Sequence, residues 1–255
     1  MVPILKLHHL EGRLRSSLSH PLKALLFILI LNPADLTCHA AETGSISGVI
    51  RYKADSESPW RYQRYYVADT NTGALAETVV ALKPTEAFLT PFPEKHTRIT
   101  VDQENFQFVP ETVVVQTGDK VAFTNSDETL HNVMLTHPDD AFNVNLAKDE
   151  VYEHQFKAAI ETMQPHRLGC VYHGSMRGWV FVFDHPFFAL TGKDGTFSME
   201  NIPVGHYQIE VHHPAGKLVS TTPISIAKNE AHTQEIELTP KNIKKRTPKK
   251  KKLSL

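Results

Sequence analysis

Cys170-Val171-Tyr172-His173-Gly174-Ser175-Met176 sets a thiol, an imidazole and a thioether close together, and a second imidazole stands upstream in Leu130-His131-Asn132-Val133. One soft thiolate, two imidazoles and a thioether are the donors of a type 1 copper site, trigonal in its His2Cys set with a weak axial Met. The chemistry expected of such a site is the transfer of single electrons. A filled ligand shell leaves no open position for a substrate, so the pattern argues against catalysis at this metal. Other chemistry finds little support. Ser175 lies in no Gly-x-Ser-x-Gly turn, and neither a Gly-rich phosphate loop nor a His-Glu-x-x-His helix is present. Nothing points to nucleic acid as a partner. Taken singly, Cys170 reads as a small buried hydrophobe, and Met176, near Trp179 and Phe181, reads as core. The four donors together, at this spacing, favour the metal.

Such donors must be brought together by strands. The ligand loop runs directly into the apolar run Trp179 to Asp184, which places Cys170, His173 and Met176 on one loop at a sandwich end while His131 arrives from another strand. Further runs rich in Val, Ile, Thr and Phe are Ser45 to Tyr52, Thr78 to Leu82, Arg98 to Asp102, Thr112 to Gln116 and Lys120 to Thr124. Turn formers punctuate them, as in Gln116-Thr117-Gly118-Asp119-Lys120 and Gly192-Lys193-Asp194-Gly195. The best helical candidate, Phe156 to Gln164, is short. The expected class is all-β, built as sandwiches of many short strands.

Residues 96–184 resemble the cupredoxin family, and the short Cys-x-x-His-x-x-Met loop is similar to that of amicyanin-like members. Phe106-Gln107-Phe108-Val109-Pro110, the run Val113 to Val121, and Phe123-Thr124-Asn125-Ser126-Asp127 leading to His131-Asn132-Val133 match in order. The resemblance implies a Greek-key β-sandwich in which His131 and His173 bind one type 1 copper through ring nitrogens, Cys170 through its thiolate and Met176 axially. It also implies that Asn125 stands behind the ligands and braces their strands. Two departures are visible. Gly169 replaces the aromatic residue many members carry before the cysteine, and the loop lacks their proline, which implies looser packing beside the thiolate.

The flanking segments resemble a carboxypeptidase regulatory-like (transthyretin-like) sandwich split in two. The matching stretches are Gly44-Ser45-Ile46-Ser47-Gly48, Ala74 to Leu82, Leu190 to Phe197, Asn201-Ile202-Pro203-Val204-Gly205-His206-Tyr207 and Glu235 to Leu238. Residues 43–90 hold about two strands, too few to bury an apolar face alone. The expected organisation is therefore a signal peptide at 1–41, an outer, smaller sandwich formed by 43–92 and 186–240, a copper domain at 96–184 inserted into it, and a basic disordered tail at 241–255. The combination is similar to exported methylamine-utilisation-type proteins.

An export signal is read from scattered bases (Lys6, Arg13, Arg15, Lys23), the apolar run Ala24 to Leu31, which is too short to span a bilayer, and the small residues ending at Ala40-Ala41. This signal points to a periplasmic location; the two cysteines, Cys38 and Cys170, exclude a disulfide framework, and cleavage at Ala40 or Ala41 removes Cys38 and leaves Cys170 as the only thiol. The net charge of −1 hides a contrast: the tail from Lys241 carries eight bases and no acid, and the first forty residues carry a net two positive charges, leaving −11 for the body. A tail of this kind could touch a membrane surface or simply be solvated. The expected partner is a redox protein. The other readings are an exported structural or binding module, and copper storage or delivery.

The remaining histidines, including His137, His154, His166, His185, His206, His212 and His213, read as mostly solvent facing. His137 reads as a surface neighbour of His131 rather than a ligand. His212 and His213 point to opposite faces of a strand, which disfavours a chelate from both. Trp60, Arg61, Tyr62, Arg64, Tyr65 and Tyr66 form an aromatic and basic cluster read as a strand edge.

Overall fold

The computed structural model describes residues 42–53, 67, 69–86, 92, 96–138, 140–159, 164–214 and 218–239. The signal segment, the Trp60 to Tyr66 cluster and the basic tail lie outside them. The described residues form strands, turns and loops with no helix.

β1 (Thr43–Tyr52) and β2 (Val79–Pro84) come first. Nine strands follow: β3 (Arg98–Glu104), β4 (Gln107–Val109), β5 (Thr112–Gln116), β6 (Lys120–Asn125), β7 (His131–Leu135), β8 (Phe142–Leu146), β9 (Val151–Gln155), β10 (His166–Gly169) and β11 (Arg177–Phe183). The chain closes with β12 (Phe188–Leu190), β13 (Thr196–Pro203), β14 (Gly205–His213), β15 (Leu218–Ile226) and β16 (Ala231–Leu238). Sheets β5-β11-β10-β7-β8 and β4-β3-β6-β9 are built wholly from β3 to β11. Sheets β13-β1-β16 and β12-β2-β14-β15 use only strands before and after that block.

Period-2 alternation explains how these layers stack. In β11, Val180 and Val182 join Val101, Val113, Phe123, Val133 and Leu168 in a core between the two middle sheets. The intervening Trp179, Phe181 and Phe183 face the other way, onto Val79 and Ala81 of β2. In β2 the same split recurs, since Val80 and Leu82 enter a third core with Ile46, Ile50, Ile209 and Ile236. Gly178 to Phe183 are consequently all buried. Burying each large apolar side chain contributes roughly 1.5–3 kcal/mol.

Local turn chemistry follows the sequence. Gly195 has φ 75, as the Asp194-Gly195 pair requires, and its N–H donates to Gly192 O at 2.9 Å. Gly48 serves a different need, because β1 is sandwiched between β13 and β16. A Cβ there would strike the Gln234 carbonyl and come within 2.8 Å of the Phe197 ring. Gly48→Ala is expected to destabilise the fold by about 1–3 kcal/mol through overpacking, seen as a lower urea midpoint.

The helix expected over Phe156 to Gln164 does not form in its described part. Phe156 is fully buried, and it exchanges backbone hydrogen bonds with the turn before β6: Gly118 N–H donates to Phe156 O at 2.7 Å, and Phe156 N–H donates to Asp119 O at 3.2 Å. Sheet-like pairing of the backbone displaces helical pairing.

Candidate metal centre

β6 ends at Asn125, and a short connection leads to His131, the first residue of β7. Because side chains alternate, His131, Val133 and Leu135 all point into the core, and His131 is fully buried. β10 runs antiparallel beside β7, with Leu168 opposite Leu135, and it delivers the buried Cys170 to the same end. The loop after Cys170 turns back tightly, Met176 N–H donating to His173 O at 2.9 Å.

Three of the four expected ligands converge. Nδ1 of His131 lies 3.0 Å from Nδ1 of His173, and Sγ of Cys170 lies 3.6 Å from the same His173 nitrogen. All three donor atoms fall within 4.8 Å of one another. Met176 is buried and packs in the same apolar cluster as Cys170. His173 is only partly buried.

Asn125 ties the connection between β6 and β7 together. Its Nδ2 donates to Thr129 O and to Leu146 O, each at 2.9 Å, and its Oδ1 accepts from Asp127 N–H at 3.0 Å. Asn132 acts in a similar way on the ligand loop. Its Nδ2 donates to Asn143 Oδ1, Val144 O and Asn145 Oδ1 of β8, while its Oδ1 accepts from Val171 N–H at 3.4 Å. The residue after the thiol is thereby tied to the sheet. Beside the thiol, a Cβ on Gly169 would meet only Met134 Cε at 3.9 Å, so the missing aromatic leaves room.

Two residues escape sequence reasoning. The Asp127 carboxylate lies 2.7 Å from His131 Nε2 and accepts backbone N–H bonds from Asn105 and Phe106 at 2.8 and 3.0 Å. Partial desolvation opposes ionisation of this carboxyl, but the Phe106 N–H, His131 and the Asn105 N–H outweigh it and hold the pKa below the ordinary carboxylate range. An ionised Asp127 can only accept, so Nε2 of His131 carries the proton and Nδ1 offers a lone pair towards Cys170 and His173. Phe106, at the tip of the β3-β4 hairpin, meets the imidazoles of His131 and His173 edge-on, with ring centroids 5.3 and 4.9 Å away. Asn105 and Phe106 have φ 52 and 61, the two positive values of a type I′ turn. Positive φ at a bulky Phe is the one local anomaly that marks the position.

The histidines correct the expectation of solvent exposure. His166 and His213 are 2% and 0% exposed, and His185 is buried with its pKa pushed down by desolvation against the pull of Asp184. His137 is not a neighbour of His131: six residues along β7 and its extension are roughly 20 Å, which puts the two at opposite ends of the sheet. His212 and His213 do diverge, His212 packing on Phe181 with centroids 5.4 Å apart while His213 is buried.

A β-sandwich that gathers one thiol and two imidazoles at one end defines a class, the single-copper electron-transfer domains, and the donor set fits that metal: soft sulfur with two neutral ring nitrogens suits copper. Residues 95–181, about a third of the chain, match the family model for copper binding proteins of the plastocyanin/azurin family, and the cofactor that this match implies is copper. Among solved structures, amicyanin from Paracoccus versutus is 25% identical, with 41% of this chain and 97% of that one covered at a TM-score of 0.30. The purple cupredoxin from Nitrosopumilus maritimus is 20% identical, with 34% and 99% covered at a TM-score of 0.28. No curated protein matches this chain.

Proposed function

We propose that the chain is an exported type 1 copper protein that carries single electrons between redox partners and is not itself an enzyme. Its ligands are His131, Cys170 and His173, with Met176 axial, and Asn125 and Asp127 hold them in place. The observation that carries this reading is the convergence of the two Nδ1 atoms and Sγ within 4.8 Å at the end of the sandwich. Bound there, copper supplies a reversible one-electron couple.

The protein's own part is positional. Asp127 fixes the His131 tautomer, Asn132 ties the residue after Cys170 to β8, and Asn125 locks the connection into β7. Ligands held this firmly move little when charge changes, which keeps transfer fast. His173 is the partly exposed ligand and serves as the electron port. Around it Phe106, Leu130, Val171 and Tyr172 are 46–52% exposed, an apolar rim suited to a small, transient docking contact.

The remaining assignments rest on sequence pattern. Residues 1–41 are the signal that directs the chain to the periplasm, and the basic tail at 241–255 is a solvated end whose charge also suits an acidic membrane surface. The strands in 43–92 and 186–240 form a carboxypeptidase regulatory-like sandwich into which the copper domain at 96–184 is inserted, as in methylamine-utilisation-type proteins.

Visible absorption and EPR spectra after addition of Cu(II) test the central reading. The Asp127 contribution has its own check. Asp127→Ala is expected to weaken copper affinity about 10–100-fold, the usual effect of removing a carboxylate behind a ligating histidine, measured by competition with a chelator. An unchanged affinity would remove Asp127 from the site.

A further inference from the structure

The interior column that ends in copper ligands at one end of the sheet ends in a second donor cluster at the other. His131, Val133, Leu135 and His137 share one face of β7 and its extension, and His166, Leu168 and Cys170 share one face of β10. The β7-β10 register pairs Leu168 with Leu135 and Gly169 with Met134; continued by two residues it sets His166 opposite His137. Their rings meet edge-on with centroids 4.5 Å apart. Asp140 N–H donates to His137 O at 3.1 Å, and this tight turn brings its carboxylate under the two rings.

We propose that His137, Asp140 and His166 form a second metal site, for a divalent first-row cation of the Zn2+ type, roughly 13 Å along β10 from Cys170 and roughly 20 Å along β7 from His131. One donor atom from each lies within 4.8 Å of the other two. His166 Nε2 is 3.6 Å from Asp140 Oδ2, too long for a hydrogen bond but close to the spacing of about 3.4 Å between donors that share a tetrahedral ion with bonds near 2.1 Å. The other carboxylate oxygen is held from outside, His154 Nε2 lying 3.1 Å from Oδ1, which is how ligating carboxylates are oriented.

The surroundings call for a cation. Asp140 is 4% exposed, and Oδ2 has no hydrogen-bond partner. Phe156 stands 5.4 Å from His166 by ring centroid, and Phe142 and Phe156 flank His154 at 4.7 and 4.8 Å. A carboxylate in such a place is costly without a positive charge. Two imidazoles and one carboxylate, without sulfur, suit Zn2+ and leave a fourth position for water.

The test is a metal count on the full chain, loaded with copper, then exposed to Zn2+ and desalted. Wild type is expected to retain one zinc that His137→Ala loses, with the copper colour the same in both. The difference between the two proteins is the quantity that counts, and it does not depend on what fills the Cys170 site. His137 is partly exposed, so its truncation leaves the core intact, and His154→Gln is expected to weaken zinc about 10–100-fold by freeing Asp140. Equal zinc in wild type and His137→Ala overturns the proposal and leaves the cluster as a buried hydrogen-bonding network.

Discussion

One equivalent of Cu(II) is expected to turn the protein intensely blue or green, with narrow copper hyperfine splitting in EPR, and Cys170→Ala is expected to abolish the band entirely. The intensity comes from charge transfer between a thiolate and the metal, so only the sulfur can supply it. Cys170 is the one cysteine among the described residues, it is free, and its Sγ stands 3.6 Å from His173 Nδ1. Imidazoles left after the substitution still bind Cu(II), but they give a pale, ordinary spectrum. The contrast between the two proteins should be all or nothing. A wild-type protein that stays pale would mean that the loop does not assemble a type 1 site, and the flanking sandwich would become the place to look for function.

Asn125→Ala is expected to cost about 3–5 kcal/mol of stability. The side chain is 1% exposed and makes three hydrogen bonds, two donated to carbonyls and one accepted. Each is worth about 1 kcal/mol net, and truncation adds the penalty of leaving the Thr129 and Leu146 carbonyls short of a donor. Because total stabilities are about 5–15 kcal/mol, the change should be plain as a lower urea midpoint with an unaltered slope. A loss below about 1 kcal/mol would show that water replaces the amide, and that Asn125 does not brace the site. The same substitution frees the connection that sets His131, so copper affinity should fall with stability.

Much of the candidate site was legible because it is local. Cys170, His173 and Met176 sit on one loop, and a donor set of that composition needs no knowledge of tertiary pairing to be recognised. His131 could be named by its type and by the strand it opens, and Asn125 through the resemblance of its surrounding motif. Asp127 and Phe106 could not. Their roles depend on the β3-β4 hairpin folding back onto residues more than twenty positions later, a contact that no periodicity in the sequence encodes.

The strands follow a similar division. Alternating or continuous apolar runs announced β1, β2, β3, β5, β6 and β11 within a few residues of their ends. β8 and β9 were silent, since FNVNL and VYEHQ bury little and carry polar residues throughout. Phe156 to Gln164 misled because a short run of helix formers says nothing about the backbone partners waiting at Gly118 and Asp119.

By itself, then, the sequence determined the all-β class and which donor side chains share the loop from Cys170 to Met176, because residue type and near spacing carry that information. Only the tertiary structure decided which carboxylate stands behind His131, which face of β11 meets β2, and that His137 lies opposite His166. The physical reason is register: pairing across β7 and β10 aligns residues about thirty positions apart, and that alignment follows from packing of the whole core.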